Sequence, residues 1–334
     1  MDYIKQAQSY YSKAPVIVLG SGASAAFGLS GMWALGQHLI ANTDLSSLSK
    51  TEHDSWGKFK KALEEGIDLE AALHNVDMSE TLTSRIIDAT WTLINSEDAK
   101  AFSESLQNSS MFPLSNLLNH MFKTSNNILT IITTNYDKLA EYACDQGKIH
   151  HYSGFTYGGF RHLSSPTEIT FPRKVNIWKV HGSLDWFESP SKEVVAITGT
   201  KNIPQNYTPQ IVTPGVQKYQ RTHLEPYRTI INNADQAINN AEAYLCIGYG
   251  FNDEHIQPKL MAKCLRFNTP ITIITRTLSE STKRLIIDGK AQSYLAIERG
   301  ANDDQSRVYS SLANRPFEVE KNIWSLAGYI SLIM

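Results

Sequence analysis

Hydrophobic and polar positions divide the chain into short, dense apolar runs separated by longer stretches with helical periodicity. Five runs are β-branched and nearly uninterrupted: Val16-Ile17-Val18-Leu19, Ile128-Leu129-Thr130-Ile131-Ile132, Val175-Asn176-Ile177-Trp178-Lys179-Val180, Ala243-Tyr244-Leu245-Cys246-Ile247 and Ile271-Thr272-Ile273-Ile274. Continuous rather than alternating hydrophobicity fits strands covered on both faces, as in a parallel sheet flanked by helices. Each run is too short for a core helix. The pattern therefore predicts an α/β fold with a Rossmann-like parallel sheet.

The residues just after each run carry chemistry. The first run ends in Gly20-Ser21-Gly22-Ala23-Ser24 and the second in Thr133-Thr134-Asn135-Tyr136-Asp137. The third ends in His181-Gly182-Ser183, the fourth in Gly248-Tyr249-Gly250-Phe251-Asn252-Asp253, and the fifth in Thr275-Arg276-Thr277. In a parallel sheet all five tails emerge along the carboxyl edge, where open α/β folds bind ligands. Glycine, amide, imidazole and hydroxyl groups at one edge predict a shared cleft.

Between Gly36 and about Ser125 the period changes to helical. Trp56, Phe59 and Leu63 share one face, and Leu82, Ile86, Thr90 and Leu93 another. Phe112, Leu114, Leu117, Leu118 and Met121 form a third stripe. The expectation is one domain over 1–334 with a helical insertion or small lobe at 36–125. Residues 188–222 hold Pro190, Pro204, Pro209, Pro214 and Gly215 among polar residues and read as a long loop. The apolar tail Trp324, Leu326, Ala327, Ile330, Leu332 and Ile333 can pack on its own core or on another subunit.

Composition narrows the classes. A formal net charge of -2 gives no general attraction to nucleic acid. The start of the chain lacks the basic-then-apolar order of a secretory signal, and no apolar run approaches the roughly 20 residues of a bilayer span. Cys144, Cys246 and Cys264 are widely spaced and form no C-x-x-C pair, which excludes a four-cysteine zinc site. These features predict a cytoplasmic protein without a resident metal.

Gly20-x-Gly22-x-x-Ala25-x-x-Gly28 follows a strand and precedes a predicted helix, an arrangement that lets backbone approach a diphosphate near a helix N-terminus. Asp44 has the spacing of a ribose-binding acid but lies in a Ser/Leu-rich stretch unlike a strand. Asn135 can cap a helix that begins near Asp137, and His181 can be a hydrogen-bonded core histidine. Asp253, Glu254 and His255 are contiguous, which suits a helix start better than a metal site.

Taken together, G-S-G-A-S-A-A-F-G-L at 20–29, D-L-E-A-A-L at 68–73, T-T-N-Y-D at 133–137, K-V-H-G-S-L-D-W at 179–186 and G-Y-G-F-N-D-E-H-I at 248–256 resemble the sirtuin superfamily. They are most similar to its bacterial NAD-hydrolysing branch found in anti-phage defence. The resemblance implies NAD as substrate, with Gly20, Ser21, Gly22, Ala23 and Ser24 around its phosphates and Phe27 and Gly28 toward the nicotinamide side. It implies that Asn135 contacts the nicotinamide ribose and attacking water, that Asp137 helps form the nicotinamide pocket, and that His181 is the catalytic histidine. Gly248, Tyr249, Gly250 and Phe251 would line the adenosine side, and Thr134, Gly182 and Ser183 join the nucleotide-contacting set.

The chain departs from sirtuin deacylases in having no paired C-x-x-C motifs, so no zinc lobe is expected and its place is given to the helical insertion. Water then becomes the acceptor, and the expected activity is that of an NAD glycohydrolase. A module binding NAD or ADP-ribose without turnover, an NAD-dependent deacylase, and a cyclising enzyme with the same site remain as alternatives. The resemblance also implies a homo-oligomer and a HerA-type hexameric ATPase as partner, with no membrane and no direct nucleic-acid contact.

Overall fold

Val16–Leu19 (β1) lies at the heart of a nine-stranded sheet because it presents apolar side chains to both faces. In the computed structural model, which describes residues 3–74, 76, 78–213, 224–289 and 291–334, Ile17 and Leu19 enter one core and Val18 the other. The other predicted runs become Ile128–Thr133 (β2), Lys174–Lys179 (β5), Tyr244–Ile247 (β9) and Ile271–Thr275 (β10). All five are contiguous and parallel, in the order β10-β9-β1-β2-β5. The short His151–Tyr152 (β3) extends one edge in parallel. Tyr294–Arg299 (β11) adds a parallel strand at the other edge, followed by antiparallel Ser306–Ser310 (β12) and Phe317–Val319 (β13).

Helices cover both faces. Tyr3–Tyr11 (α1), Pro113–Met121, Leu139–Gln146 and Leu326–Ile333 pack on one, joined by part of the long helix Glu80–Gln107. Tyr227–Asn240 and Gln257–Arg266 cover the other. The C-terminal tail packs on its own core, where Tyr329, Leu332 and Ile333 are buried and helix Leu326–Ile333 contacts α1.

Helices Met32–Asn42, Lys50–Glu64, Leu69–His74 and the first half of Glu80–Gln107 gather a separate core around Leu35, Leu39, Trp56, Phe59, Leu73 and Leu82. The Lys50–Glu64 helix starts at a reciprocal cap between Ser49 and Glu52. This lobe stands between β1 and β2 and overhangs the carboxyl edge of the sheet.

One expectation is corrected. The stretch read as a long loop at 188–222 contains two strands, Val194–Ile197 (β7) and Thr208–Ile211 (β8). With Phe160–His162 (β4) and Gly182–Glu188 (β6) they form a four-stranded antiparallel sheet in the order β4-β7-β6-β8. Pro209 fits because β8 is an edge strand, where a missing N–H breaks no ladder. Pro214 and Gly215 lie outside the described residues.

Candidate functional site

The carboxyl ends of β1, β2 and β9 are tied to one another before any ligand is considered. Gly20 N donates to Ile247 O at 3.1 Å, Gly22 N to Gly248 O at 3.0 Å and Thr134 N to Leu19 O at 3.3 Å. The two glycine turns touch backbone to backbone: a Cβ on Gly20 would lie 2.5 Å from Gly248 O, and one on Gly22 would lie 2.8 Å from Gly248 Cα. Gly248 itself has φ +59°, which suits glycine. The helix after this turn is only Ser21–Ala25, too short to bring much dipole, so the turn offers a phosphate close backbone rather than a helix end.

A cavity of about 340 Å³ opens at this edge, roofed by Leu29, Ser30, Met32, Leu35 and Ile94 of the helical lobe. Gly20, Ser21, Ser24, Thr134, Asn135, Asp137, His181, Tyr249 and Gly250 line it, together with Tyr136, Asn252 and Asp253. The lobe is pinned over it where Ser30 donates from N and Oγ to the two carboxylate oxygens of Glu97. Asn135 and His181, far apart in sequence, thus face one space.

Asn135 does not cap a helix. Its Nδ2 donates to Gly20 O and to Ser24 Oγ, each at 2.9 Å. A carbonyl can only accept, so the nitrogen is identified by its partner and the amide oxygen remains as an acceptor on a residue that lines the cavity. Ser24 Oγ in turn donates a hydrogen bond to Asp137 Oδ2 at 2.7 Å, and Asp137 Oδ1 accepts from Leu139 N at 3.1 Å. Burial pushes the Asp137 carboxyl above the usual carboxylate range, against the lowering pull of the Lys179 ammonium. The second tail is braced from below. Lys179, fully buried, donates to Asp137 O and stands 3.2 Å from Glu141. Burial alone would lower its pKa, but the carboxylates of Glu141, Asp137 and Asp185 outweigh it and raise it. Half-buried Arg161 and buried Asp185 form a second ion pair beside this one.

His181 is 8% exposed, and its carbonyl accepts from Val212 N at 2.8 Å. Its Nε2 lies 2.7 Å from Asp253 Oδ2. In sequence Asp253 reads as part of a helix start, and its Oδ1 indeed accepts from His255 N and Ile256 N. Its second oxygen, turned to His181, escapes that reading because the partner is remote in the chain.

A larger cavity, about 640 Å³, lies on the opposite side of the glycine turn. Gly22, Ala23, Phe27 and Gly248 line it with Thr275, Arg276, Thr277 and Trp324, and Ser24 and Asp137 border both spaces. Gly28 has φ +82° with open space around it. Gly28, Gly182, Ser183 and Phe251 line neither cavity. Gly182 packs on Gln210, while Ser183 and Phe251 are fully buried. Asp44 is far from ribose-binding duty, paired with Arg85 at 2.9 Å on the lobe. Among the described residues no group of three His, Cys, Asp or Glu side chains could hold a metal, and no helix is long and apolar enough to cross a membrane.

With this geometry in place, comparison with known proteins is specific in one respect. Residues 129–284 match the family model of the SIR2-like domain. That segment carries Asn135, Asp137, His181 and the Gly248–Asp253 turn. Among solved structures the chain is similar to a Sir2 homologue mutant in complex with ADP-ribose. The identity is 14%, coverage is 84% of this chain and 86% of that one, and the TM-score is 0.46. It is also similar to a Sir2 homologue–NAD complex at 13% identity, with 88% and 87% coverage and a TM-score of 0.41. No curated protein matches.

Proposed function

We propose that the chain binds NAD across the two cavities and hydrolyses its nicotinamide–ribose bond, giving nicotinamide, ADP-ribose and a proton. The observation that carries this reading is the Asn135 amide. Both its hydrogens are committed to the glycine turn and Ser24, so its oxygen is held ready for a donor in the space that His181 also faces. A water or ribose hydroxyl is such a donor. The glycine turn, closed to any side chain at Gly20 and Gly22, suits the diphosphate between the halves. The nicotinamide ribose then occupies the 340 Å³ cavity and the adenosine the 640 Å³ cavity. This puts Phe27 on the adenosine side and Tyr249 and Gly250 on the nicotinamide-ribose side, the reverse of what the sequence resemblance implies for these three.

Nicotinamide leaves as a neutral molecule from a cationic ring, so the leaving group needs little acid. The protein's task is to hold ribose and water in line. Asn135 orients the water by accepting one of its hydrogens, and His181 takes the proton released as the new C–O bond forms. Purified protein incubated with NAD should release nicotinamide and ADP-ribose in equal amounts. Asn135→Ala and His181→Ala should each lower the rate about 10²–10⁴-fold. Product formation unchanged in both variants would overturn the assignment. The finer role carried by the sequence resemblance is NAD depletion in anti-phage defence, as an oligomer with a HerA-type ATPase. It is tested by cellular NAD levels during infection and by co-purification with that ATPase.

A further inference from the structure

We propose that Arg276 reads the adenosine ribose and makes the 2′-phosphorylated dinucleotide, NADP, the preferred substrate over NAD. The inference deepens the NAD-hydrolysing reading and rests on it for the orientation of the dinucleotide. What carries it is the charge around the 640 Å³ cavity, which that reading gives to the adenosine.

Arg276 directly follows β10 and is exposed at the wall of this cavity, between Thr275 and Thr277, which line it too. Its carbonyl accepts from Arg299 N at 3.3 Å, which ties the backbone at this point to β11. Among the described residues it is the only lysine or arginine lining the cavity, and its guanidinium has no ion-pair or hydrogen-bond partner. A guanidinium stays charged, and its fork of N–H groups matches phosphate oxygens. The order β10-β9-β1 sets the β10 tail two strands from the glycine turn, about 10 Å along the edge. A diphosphate over Gly20–Gly22 thus extends its adenosine ribose toward Arg276.

The acid that would select an unphosphorylated ribose is missing. Dinucleotide sites use an Asp or Glu at a strand end to accept from the ribose 2′-hydroxyl, and an arginine to accommodate a 2′-phosphate. β9 runs into Gly248 and Tyr249, and Asp44 is spent on Arg85 of the lobe. Glu298 stands opposite Thr275 on β11 but lines neither cavity. Its Oε2 accepts from Leu278 N at 2.8 Å and its Oε1 from the Tyr309 hydroxyl at 2.7 Å. Asp137, the one carboxylate among the described residues that lines the larger cavity, sits where the two cavities meet, with its oxygens taken by Ser24 and Leu139 N. The smaller cavity has the opposite sign: Asp68, Asp137 and Asp253 line it with no described lysine or arginine. That suits the cationic nicotinamide ring and leaves Arg276 as the place for a third phosphate.

Calorimetric titration of the full chain with ADP-ribose and with 2′-phospho-ADP-ribose reads the preference without turnover. The wild type should bind the 2′-phosphorylated ligand about tenfold more tightly, as expected for charge-assisted hydrogen bonds at an exposed cation. Arg276→Ala should bring the ratio of affinities to about one, and Arg276→Glu should reverse it. The ratio of kcat/KM for NADP over NAD should follow the same order across the three proteins. A wild type that binds ADP-ribose as tightly or more tightly would overturn the inference, as would a 2′-phosphate preference that persists in Arg276→Glu. Failure of both ligands to bind would overturn the NAD reading and this inference with it. Binding without turnover overturns hydrolysis alone, and the ratio of affinities still decides the role of Arg276.

Discussion

Replacing Gly20 by alanine isolates the contact on which the site is built. Gly20 has φ -112° and ψ -177°, extended backbone open to any residue, so conformational strain plays no part. The added Cβ would lie 2.5 Å from Gly248 O and 2.6 Å from Tyr249 Cα, where ordinary contact begins at 3.4 Å. The two turns must therefore separate by about 0.9 Å, the difference between those distances. Backbone atoms cannot rotate away as a side chain can, and hydrogen bonds at Gly20 N and Gly22 N resist the movement. Overpacking of this kind costs about 1–3 kcal/mol, and here the upper end applies because both obstacles are main chain. At about 2 °C per kcal/mol for a chain this large, the melting temperature should fall by about 6 °C.

Gly57→Ala is the matched control. Gly57 is exposed in the middle of helix Lys50–Glu64 with nothing within 4 Å of its would-be Cβ. Alanine there should stabilise by about 0.5–1 kcal/mol. Differential scanning calorimetry should thus show opposite signs for one chemical change. The Gly20 carbonyl also holds the Asn135 amide, so the same variant should bind ADP-ribose more weakly in calorimetric titration. A Gly20→Ala melting temperature within about 1 °C of wild type would refute the reasoning.

Other consequences come from buried groups. Burial raises the Asp98 carboxyl from 3.8 to about 6, although Tyr142 and Lys138 N donate to it. A raised carboxylate favours folding while protonated, so this contribution is complete below about pH 4 and lost as pH rises through about 6. The loss amounts to at most about 3 kcal/mol. Urea titrations from pH 4 to 7 should show that fall in wild type and not in Asp98→Asn; parallel curves would contradict it. Lys179→Met leaves Glu141 and the Asp137 loop without their buried cation and should destabilise by about 3–5 kcal/mol; a change under about 1 kcal/mol would show that the carboxyl groups compensate one another. Trp91→Phe removes the buried Nε1 donor to Leu184 O, now 2.7 Å long, and should cost about 1–3 kcal/mol in urea unfolding. An unchanged midpoint would mean that the carbonyl finds another partner.

The strands that surround β1 were legible because their two covered faces leave no polar alternation to confuse the signal. Outlying elements were not. β12, Ser306–Ser310, alternates buried and exposed positions over five residues, too few to distinguish it from a loop. The second sheet hides behind prolines that an edge strand tolerates. At the site, the strand tails announced themselves as a set of polar groups, and the topology gathers Gly20, Asn135, His181 and Gly250 at one cavity. Gly182 and Ser183 read the same way in sequence but are turned into packing against β8 and the Tyr136 carbonyl. Motif proximity gives a residue's place along the edge, not the direction of its side chain. Asp253 shows the converse, since one oxygen satisfied its local reading as a helix start while the other reached across the fold.

The most direct measurement is a crystal structure of the His181→Ala variant soaked with NAD. The account predicts the nicotinamide ribose within hydrogen-bonding reach of Asn135 Oδ1, the diphosphate over Gly20–Gly22, and the adenosine beside Gly248 and Arg276. A dinucleotide seated elsewhere, or a ribose turned away from Asn135 with the glycine turn untouched, would contradict it.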